Sequence, residues 1–109
     1  MEVHSALGPG LLESAYEACL CHELFAAGVQ FQRQVPVPIQ YKELTLDCGF
    51  RLDLLVEKCV VVEVKSVERM HAIHEAQLFT YLKVSGHRVG LLLNFNVSHM
   101  RHGVTRRVL

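Results

Sequence analysis

The spacing of apolar residues predicts two amphipathic helices, one on each side of a long β-rich segment. Residues 10–27 carry apolar side chains at helical spacing and are followed by Gly28, a residue type that commonly ends helices. Residues 74–85 show a similar pattern and are followed by Gly86. The first helix is expected to face the core with five side chains: Leu12, Tyr16, Cys19, Leu20 and Leu24.

The segment between the helices is rich in β-branched and aromatic residues, and polar pairs at 42–43 and 57–58 interrupt it. Each pair predicts a hairpin turn. Pro36 and Pro38 each remove a backbone donor, so their strand is expected at an edge of the sheet. A buried strand and a short last strand follow the second helix. The order α-β-β-β-α-β-β predicts an α/β (α+β) fold in which helices flank a mixed β-sheet.

Length and charge limit the possible classes of protein. The 109 residues suit one domain, 1–109, and no apolar run is long enough to cross a bilayer. The N-terminal sequence MEVHSALGPG lacks the pattern of a signal peptide, so we expect a cytoplasmic protein without a membrane partner. Eleven basic and eleven acidic residues give a formal net charge of zero. Contact with nucleic acid must therefore rely on a local basic patch or on metal ions.

One predicted hairpin, FRLDLLVEKCVVVEVKS, carries charged residues among leucines and valines. If its turn is centred on Lys58, Asp53 and Glu63 face each other across the two strands, with their β-carbons about 5 Å apart. Arg51 and Lys65 are expected on the same face. The other face would be purely apolar and would consist of Leu52, Leu54, Val56, Val60, Val62 and Val64.

The expected proximity of Asp53 and Glu63 makes their charges costly. Two ionised carboxylates at about 5 Å repel each other by roughly 3 kcal/mol when the effective dielectric constant is near 20. The pair therefore needs a proton, a cation or a metal ion. One interpretation is a structural ion-pair cluster with Lys65 and Arg51. The other is a divalent ion, Mg²⁺ or Mn²⁺, because carboxylate oxygens are hard ligands and an adjacent lysine suits the activation of water.

Asp53, a gap of nine residues and then Glu63-Val64-Lys65 resemble the D…ExK signature of the PD-(D/E)XK nuclease superfamily. Leu52 stands where the signature has proline, but the ligand Asp53 is retained. The resemblance implies a restriction-endonuclease-like core, in agreement with the predicted order of elements. It also implies that Asp53, Glu63 and the Val64 carbonyl ligate Mg²⁺ or Mn²⁺. In such a site Lys65 would orient or deprotonate the attacking water.

Two further segments resemble motifs found within that superfamily. Gly10, Glu13 and Tyr16 in GLLESAY resemble the motif that names the GxxExxY protein family, a small branch of it. Gln77 and Tyr81 in HEAQLFTYL resemble the Gln-x-x-x-Tyr helix of exonuclease-like members. The resemblance implies that Glu13 reaches the metal directly or through water. It also implies that Gln77 and Tyr81 hold the site or a substrate phosphate.

The histidines and the basic residues outside these motifs leave two interpretations open. His74 is expected to serve at the start of its helix, with a role as ligand or proton carrier as the alternative. A basic stretch near the C-terminus is either a contact for a phosphate backbone or a solvated surface. It contains His99, Arg101, His102, Arg106 and Arg107.

Together these features give the hypothesis of a metal-dependent nuclease that hydrolyses phosphodiester bonds of a nucleic acid, with DNA as the expected substrate. The alternative is a catalytically silent module on the same fold that binds nucleic acid or a protein partner. Association into a homo-oligomer is consistent with either hypothesis, since a domain of this size offers little surface to clamp a duplex.

Overall fold

A five-stranded mixed sheet forms the centre of the fold in the computed structural model, which describes residues 1–109. Its strands lie side by side in chain order, and all neighbours are antiparallel except β3 and β4, which are parallel. This arrangement confirms the predicted mixed sheet. The strands are β1 (Phe31–Tyr41), β2 (Leu44–Val56), β3 (Val60–Lys65), β4 (Val89–Asn94) and β5 (Val104–Val108).

Three α-helices and one short 3-10 helix accompany the sheet. They are α1 (Glu2–Leu7), α2 (Glu13–Ala26), α3 (Ala72–Ser85) and the 3-10 helix Met100–His102. Both predicted long helices are present, and α1 was not predicted. A helix of six residues buries only two side chains, too few to produce a periodic pattern in the sequence. No helix has the length and apolar composition needed to cross a membrane.

The start of α2 corrects the predicted boundary at residue 10. Gly10 has φ +104°, a left-handed conformation that interrupts helical geometry, and Leu12 is extended at the N-cap. Leu12 is therefore not part of the apolar stripe of the helix, and 77% of its surface is exposed. The other end of α2 agrees with the prediction, because Gly28 follows the C-cap with φ +73°.

The hairpin between β2 and β3 has the predicted register. Val56 pairs with Val60 and Leu54 with Val62, so the turn is centred on Lys58. The predicted turn at residues 42–43 also lies between β1 and β2. β1 forms one edge of the sheet, where its prolines are tolerated.

Each face of the sheet packs against a helix, and this corrects the expected division into an apolar and a charged face. The face toward α3 also has an apolar core, to which Leu52 belongs rather than to the side of Leu54. Leu52 and Leu54 change sides where the β1–β2 ladder skips the pair of Gln34 with Asp53, and Gln34 has φ +53° at that point. The core on the side of α2 includes Tyr16, Leu20, Leu54, Val62, Val64, Leu93 and Phe95. The core on the side of α3 includes Leu52, Leu55, Val61, Leu78, Leu82 and Leu92.

Candidate metal centre

Asp53 and Glu63 lie where β2 and β3 stop pairing, just beyond the pair of Leu54 with Val62. The Asp53 backbone N–H donates to Glu63 Oε1 over 3.2 Å, and the Val64 backbone N–H donates to Asp53 Oδ2 over 2.8 Å. Side-chain oxygens therefore take the place of carbonyl acceptors at this end of the ladder. The structure brings the two carboxyl groups together, as the predicted register requires.

Burial and charge together act on Glu63. Its exposed fraction is 4%, and burial raises its pKa to about 9, with the nearby charge of Asp53 as the second cause. A hydrogen bond between the two carboxyl groups raises it further, while the positive charge of Lys65 acts in the opposite direction. Glu63 therefore carries a proton at neutral pH unless a cation takes its place.

Lys65 and two residues of α3 lie on the same side of the site. Lys65 Nζ donates to Gln77 Oε1 at 3.5 Å, which is the long end of the hydrogen-bond range. Tyr81 stacks on Phe50 with ring centroids 4.2 Å apart. The pKa of Tyr81 is raised by burial first, and then by the charges of Glu63 and Asp53. The negative charge of the carboxyl pair thus reaches the Tyr81 hydroxyl.

The alternative interpretation, an ion-pair cluster with Lys65 and Arg51, is not borne out. Arg51 is exposed, and neither it nor Lys65 forms an ion pair with either carboxyl group. The chain has two ion pairs, and both lie elsewhere: Arg33 with Glu17, and Arg107 with Glu75. The proximity of Asp53 and Glu63 is therefore not explained by a structural salt bridge.

The GLLESAY motif contributes to the site through the backbone. Tyr16 is fully buried and stacks on Phe95, with ring centroids 4.5 Å apart. Its hydroxyl accepts the Leu11 N–H over 3.0 Å and donates to the Gly8 carbonyl over 2.5 Å. The Leu11 carbonyl in turn accepts the hydroxyl of Ser66 over 2.6 Å. These bonds tie the loop before α2 to the residue that follows Lys65.

Glu13 is not joined to the carboxyl pair. It is the first residue of α2, it is exposed, and its side chain makes no hydrogen bond or ion pair. The chain has no group of three or more His, Cys, Asp or Glu side chains that lie close enough to share a metal ion. The structure thus brings together Asp53, Glu63, Lys65, Gln77 and Tyr81, and leaves Glu13 at the nearby start of its helix.

Asn94 is a positioning residue that the sequence analysis missed. This buried side chain ends β4, opposite Lys65 in the parallel ladder. Its Oδ1 accepts the backbone N–H groups of Val67 and Asn96 over 3.1 and 3.2 Å, and its Nδ2 donates to the Val67 carbonyl over 3.0 Å. Asn94 therefore fixes the chain that leaves β3. Its polar side chain at the end of an otherwise apolar strand was the feature of the sequence that could have identified it.

His74 has the expected role at the start of a helix. Its Nδ1 accepts the backbone N–H of His71, the N-cap residue of α3, over 3.1 Å. This bond satisfies a backbone donor at the helix N-terminus.

The oxygen donors of the site fit a hard divalent cation. The two backbone hydrogen bonds use one oxygen of each carboxyl group, and a cation can replace the proton in the contact between the two groups. The Lys65 carbonyl accepts the Phe95 N–H on the β4 side. Because successive residues of a strand point their backbone groups to opposite sides, the Val64 carbonyl points toward β2. Magnesium sites commonly use one or two carboxylates and complete the shell with water and phosphate oxygens.

A mixed sheet flanked by helices, with a carboxyl pair and a lysine at the end of its central strands, is consistent with the restriction-endonuclease-like fold. The chain belongs to the PD-(D/E)XK nuclease superfamily, whose family model matches residues 1–108. Members of this superfamily are generally nucleases, typically use divalent metal ions and act on nucleic acid. Comparisons with curated proteins and with solved structures gave no significant match.

Proposed function

We propose that residues 1–109 form one nuclease domain that hydrolyses phosphodiester bonds of DNA with the help of Mg²⁺ or Mn²⁺. The observation that carries the proposal is the pairing of Asp53 and Glu63 between β2 and β3 without a partner cation from the chain. Burying two carboxyl groups together lowers stability unless something offsets their charge. The two backbone hydrogen bonds offset part of this cost, and a metal ion would offset the repulsion that remains.

The carboxyl groups of Asp53 and Glu63 and the carbonyl of Val64 would hold the ion. When bound, the ion would polarise the phosphate and lower the pKa of a water molecule. The double positive charge of the ion would also favour release of the proton from Glu63. The few protein ligands would leave coordination positions for water and for phosphate oxygens.

Lys65 would orient the attacking water or remove its proton, and would balance negative charge on the phosphate. Gln77 limits the positions open to the lysine ammonium group, because its Oε1 accepts a hydrogen bond from Nζ. Tyr81 would donate its hydroxyl to a phosphate oxygen, a role favoured by a raised pKa because the hydroxyl keeps its proton. Glu13 would act through a water molecule, since its own side chain makes no contact with the pair.

The GLLESAY segment supports assignment to the GxxExxY branch of the superfamily. Tyr16 of that motif bonds Gly8 and Leu11 and so holds the loop that leads into Glu13. Tyr16 would thus act by fixing the backbone near Ser66. Glu13 would act through its position at the start of α2.

Cleavage of labelled single-stranded and duplex DNA with Mg²⁺ or Mn²⁺ tests the proposal directly. Asp53→Asn and Lys65→Gln are each expected to reduce the rate by roughly 100-fold or more, because they remove a ligand charge and the cation beside the water. Asp47→Asn provides a matched control, since Asp47 is an exposed aspartate on the same strand. Equal activity of the wild type and all three variants would contradict the proposal.

A catalytically silent binding module is the second candidate, and one observation favours it. The chain offers two acidic side chains rather than three, and one of them, Glu63, holds a proton at neutral pH in the absence of a cation. Calorimetric titration with Mn²⁺ separates the two candidates. Heat of binding that disappears in Asp53→Asn supports the nuclease, whereas DNA binding without any metal uptake supports the silent module.

A further inference from the structure

A polar pocket adjoins the loop that contacts Ser66. It has a volume of about 520 Å³ and is formed by α1, by the turn at residues 8–9 and by residues 98–101. The nine residues that line it include no aspartate or glutamate. Its polar side chains are His4, Ser5, Ser98, His99 and Arg101.

The walls of the pocket are held in place by contacts behind them. The His4 ring is buried and its Nε2 lies 2.7 Å from the Val97 carbonyl, to which it donates. This bond connects α1 to the segment that carries Ser98 and His99. Met100 is buried in the core on the side of α2, and the Gly8 carbonyl accepts the Tyr16 hydroxyl. The pocket therefore needs little reorganisation to bind a ligand.

The chemistry of the lining favours a phosphate group. Arg101 supplies a permanent positive charge with several donors, and the hydroxyls of Ser5 and Ser98 and the ring of His99 add further donors. No carboxylate in the lining repels an anion. The chain as a whole has no net charge, so a local cluster of this kind is what binding to a phosphate backbone requires.

The position of the pocket relates it to the candidate metal centre. Its rim includes Gly8, and three residues further along the chain the Leu11 carbonyl bonds Ser66, which follows Lys65. Gly8 and Leu11 are at most about 11 Å apart, since each residue of extended chain spans about 3.3–3.6 Å. The pocket and Lys65 are thus connected through one short loop, and a nucleic-acid strand that binds at Lys65 would place another of its phosphates at the pocket.

We propose that this pocket binds a backbone phosphate of the nucleic acid, away from the bond that is cleaved. That the phosphate belongs to a nucleic acid rests on the proposed nuclease function, whereas the ability of the pocket to bind an anion does not. Arg101 and His99 line the pocket and are exposed, so they would be the residues that contact the phosphate.

Binding of a fluorescently labelled single-stranded DNA in EDTA, at several salt concentrations, tests this proposal without the metal site. Arg101→Gln is expected to weaken binding several-fold and to reduce the slope of log K against log salt by about 0.7, the value for one phosphate contact on a single strand. His99→Gln is expected to weaken binding less. Arg88→Gln is the matched control, since Arg88 is exposed and precedes β4 at the end opposite Asn94.

Titration with inorganic phosphate, followed by NMR of the backbone amides, identifies the source of the phosphate. Shifts confined to residues 4–9 and 97–102, together with DNA binding that depends on Arg101, support the proposal. Phosphate shifts without DNA binding assign the pocket to a small anion and overturn it. Equal losses in Arg101→Gln and Arg88→Gln, or no effect of either substitution, also overturn it. Mn²⁺ binding and DNA cleavage are measured in separate experiments. If the nuclease proposal fails there, the DNA-binding and phosphate titrations still test the pocket.

Discussion

Asp53 and Glu63 each accept a backbone hydrogen bond across the gap between β2 and β3, Glu63 from Asp53 itself and Asp53 from Val64. The two side chains therefore depend on each other for their position. Their charges repel, while their hydrogen bonds hold them together. Protonation of Glu63 and metal binding are two ways to relieve the same repulsion, and the first predictions follow from this competition.

The proton on Glu63 makes stability depend on pH. Its pKa rises from 4.5 to about 9 on folding, so the folded state binds this proton more tightly than the unfolded state. The contribution to stability is complete below about pH 4.5 and is lost as the pH rises toward about 9, at no more than about 1.4 kcal/mol per pH unit. Glu63→Gln removes this loss, because the amide stays neutral.

Thermal unfolding in EDTA across this pH range measures the effect. We expect Glu63→Gln to exceed the wild type in Tm at about pH 8 and the difference to shrink toward about pH 5. Glu43→Gln, in the exposed turn between β1 and β2, controls for the loss of a surface charge. A difference that stays constant with pH would show that Glu63 does not hold a proton in the folded state.

Metal binding is predicted to release a proton and to strengthen as the pH rises. Below about pH 9 the ion must displace the proton of Glu63, so its affinity should increase by up to about tenfold per pH unit. Calorimetry with Mn²⁺ in two buffers of different ionisation enthalpy counts the released protons. Glu63→Gln should bind the ion weakly and without proton release. Affinity that does not vary with pH would argue against Glu63 as a ligand.

The sequence was sufficient for the features that depend on local patterns. The polar turn at residues 57–58 and the alternating apolar residues around it determine the register that brings Asp53 to Glu63. Both long helices were predicted from their apolar spacing, and the two hairpin turns that join β1, β2 and β3 were predicted from their polar residues. These features depend on residues close together in the chain.

Features that depend on distant contacts or on unusual backbone conformations were not predicted. Leu52 lies in the core on the side of α3, beyond the point where Gln34 of β1 has a left-handed conformation, and nothing in the sequence of β2 indicates this. The hydroxyl of Tyr16 bonds the loop behind it rather than Glu13. The partners of the Tyr16 hydroxyl depend on the path of this loop, in which Gly10 has φ +104°.

Asn94 is predicted to support both stability and the position of Lys65. Asn94→Ala leaves the Val67 N–H and carbonyl without their partners in a largely buried place, which costs roughly 1–3 kcal/mol. Asn94→Asp keeps the acceptor oxygen but loses the donor to Val67 and buries an ionisable carboxyl group, so it should also destabilise, and more strongly as the pH rises. Chemical denaturation measures the stability, and Mn²⁺ titration measures the site. If Asn94→Ala left both unchanged, the bonds to Val67 would have no structural role.

The last prediction concerns Glu17, a buried carboxylate of α2 that holds β1 beside the site. Arg33 Nε bonds its Oε2 over 2.7 Å and Gln34 Nε2 bonds its Oε1 over 2.8 Å. Gln34 is the residue whose left-handed conformation leaves Asp53 without a partner in the β1–β2 ladder. Such a conformation costs about 1 kcal/mol or more unless neighbouring contacts maintain it. Glu17 is therefore expected to maintain the break in the β1–β2 ladder next to Asp53.

Glu17→Ala should thus lower stability by roughly 1–3 kcal/mol and also weaken Mn²⁺ binding. Arg33→Gln is the matched comparison, because it breaks the ion pair but leaves the Gln34 contact; it should lower stability with little effect on Mn²⁺ affinity. Chemical denaturation and calorimetry of the same samples separate the two effects. If the two variants weakened Mn²⁺ binding equally, the effect would come from the ion pair rather than from the conformation of Gln34. The assigned role of the Glu17–Gln34 contact would then be wrong.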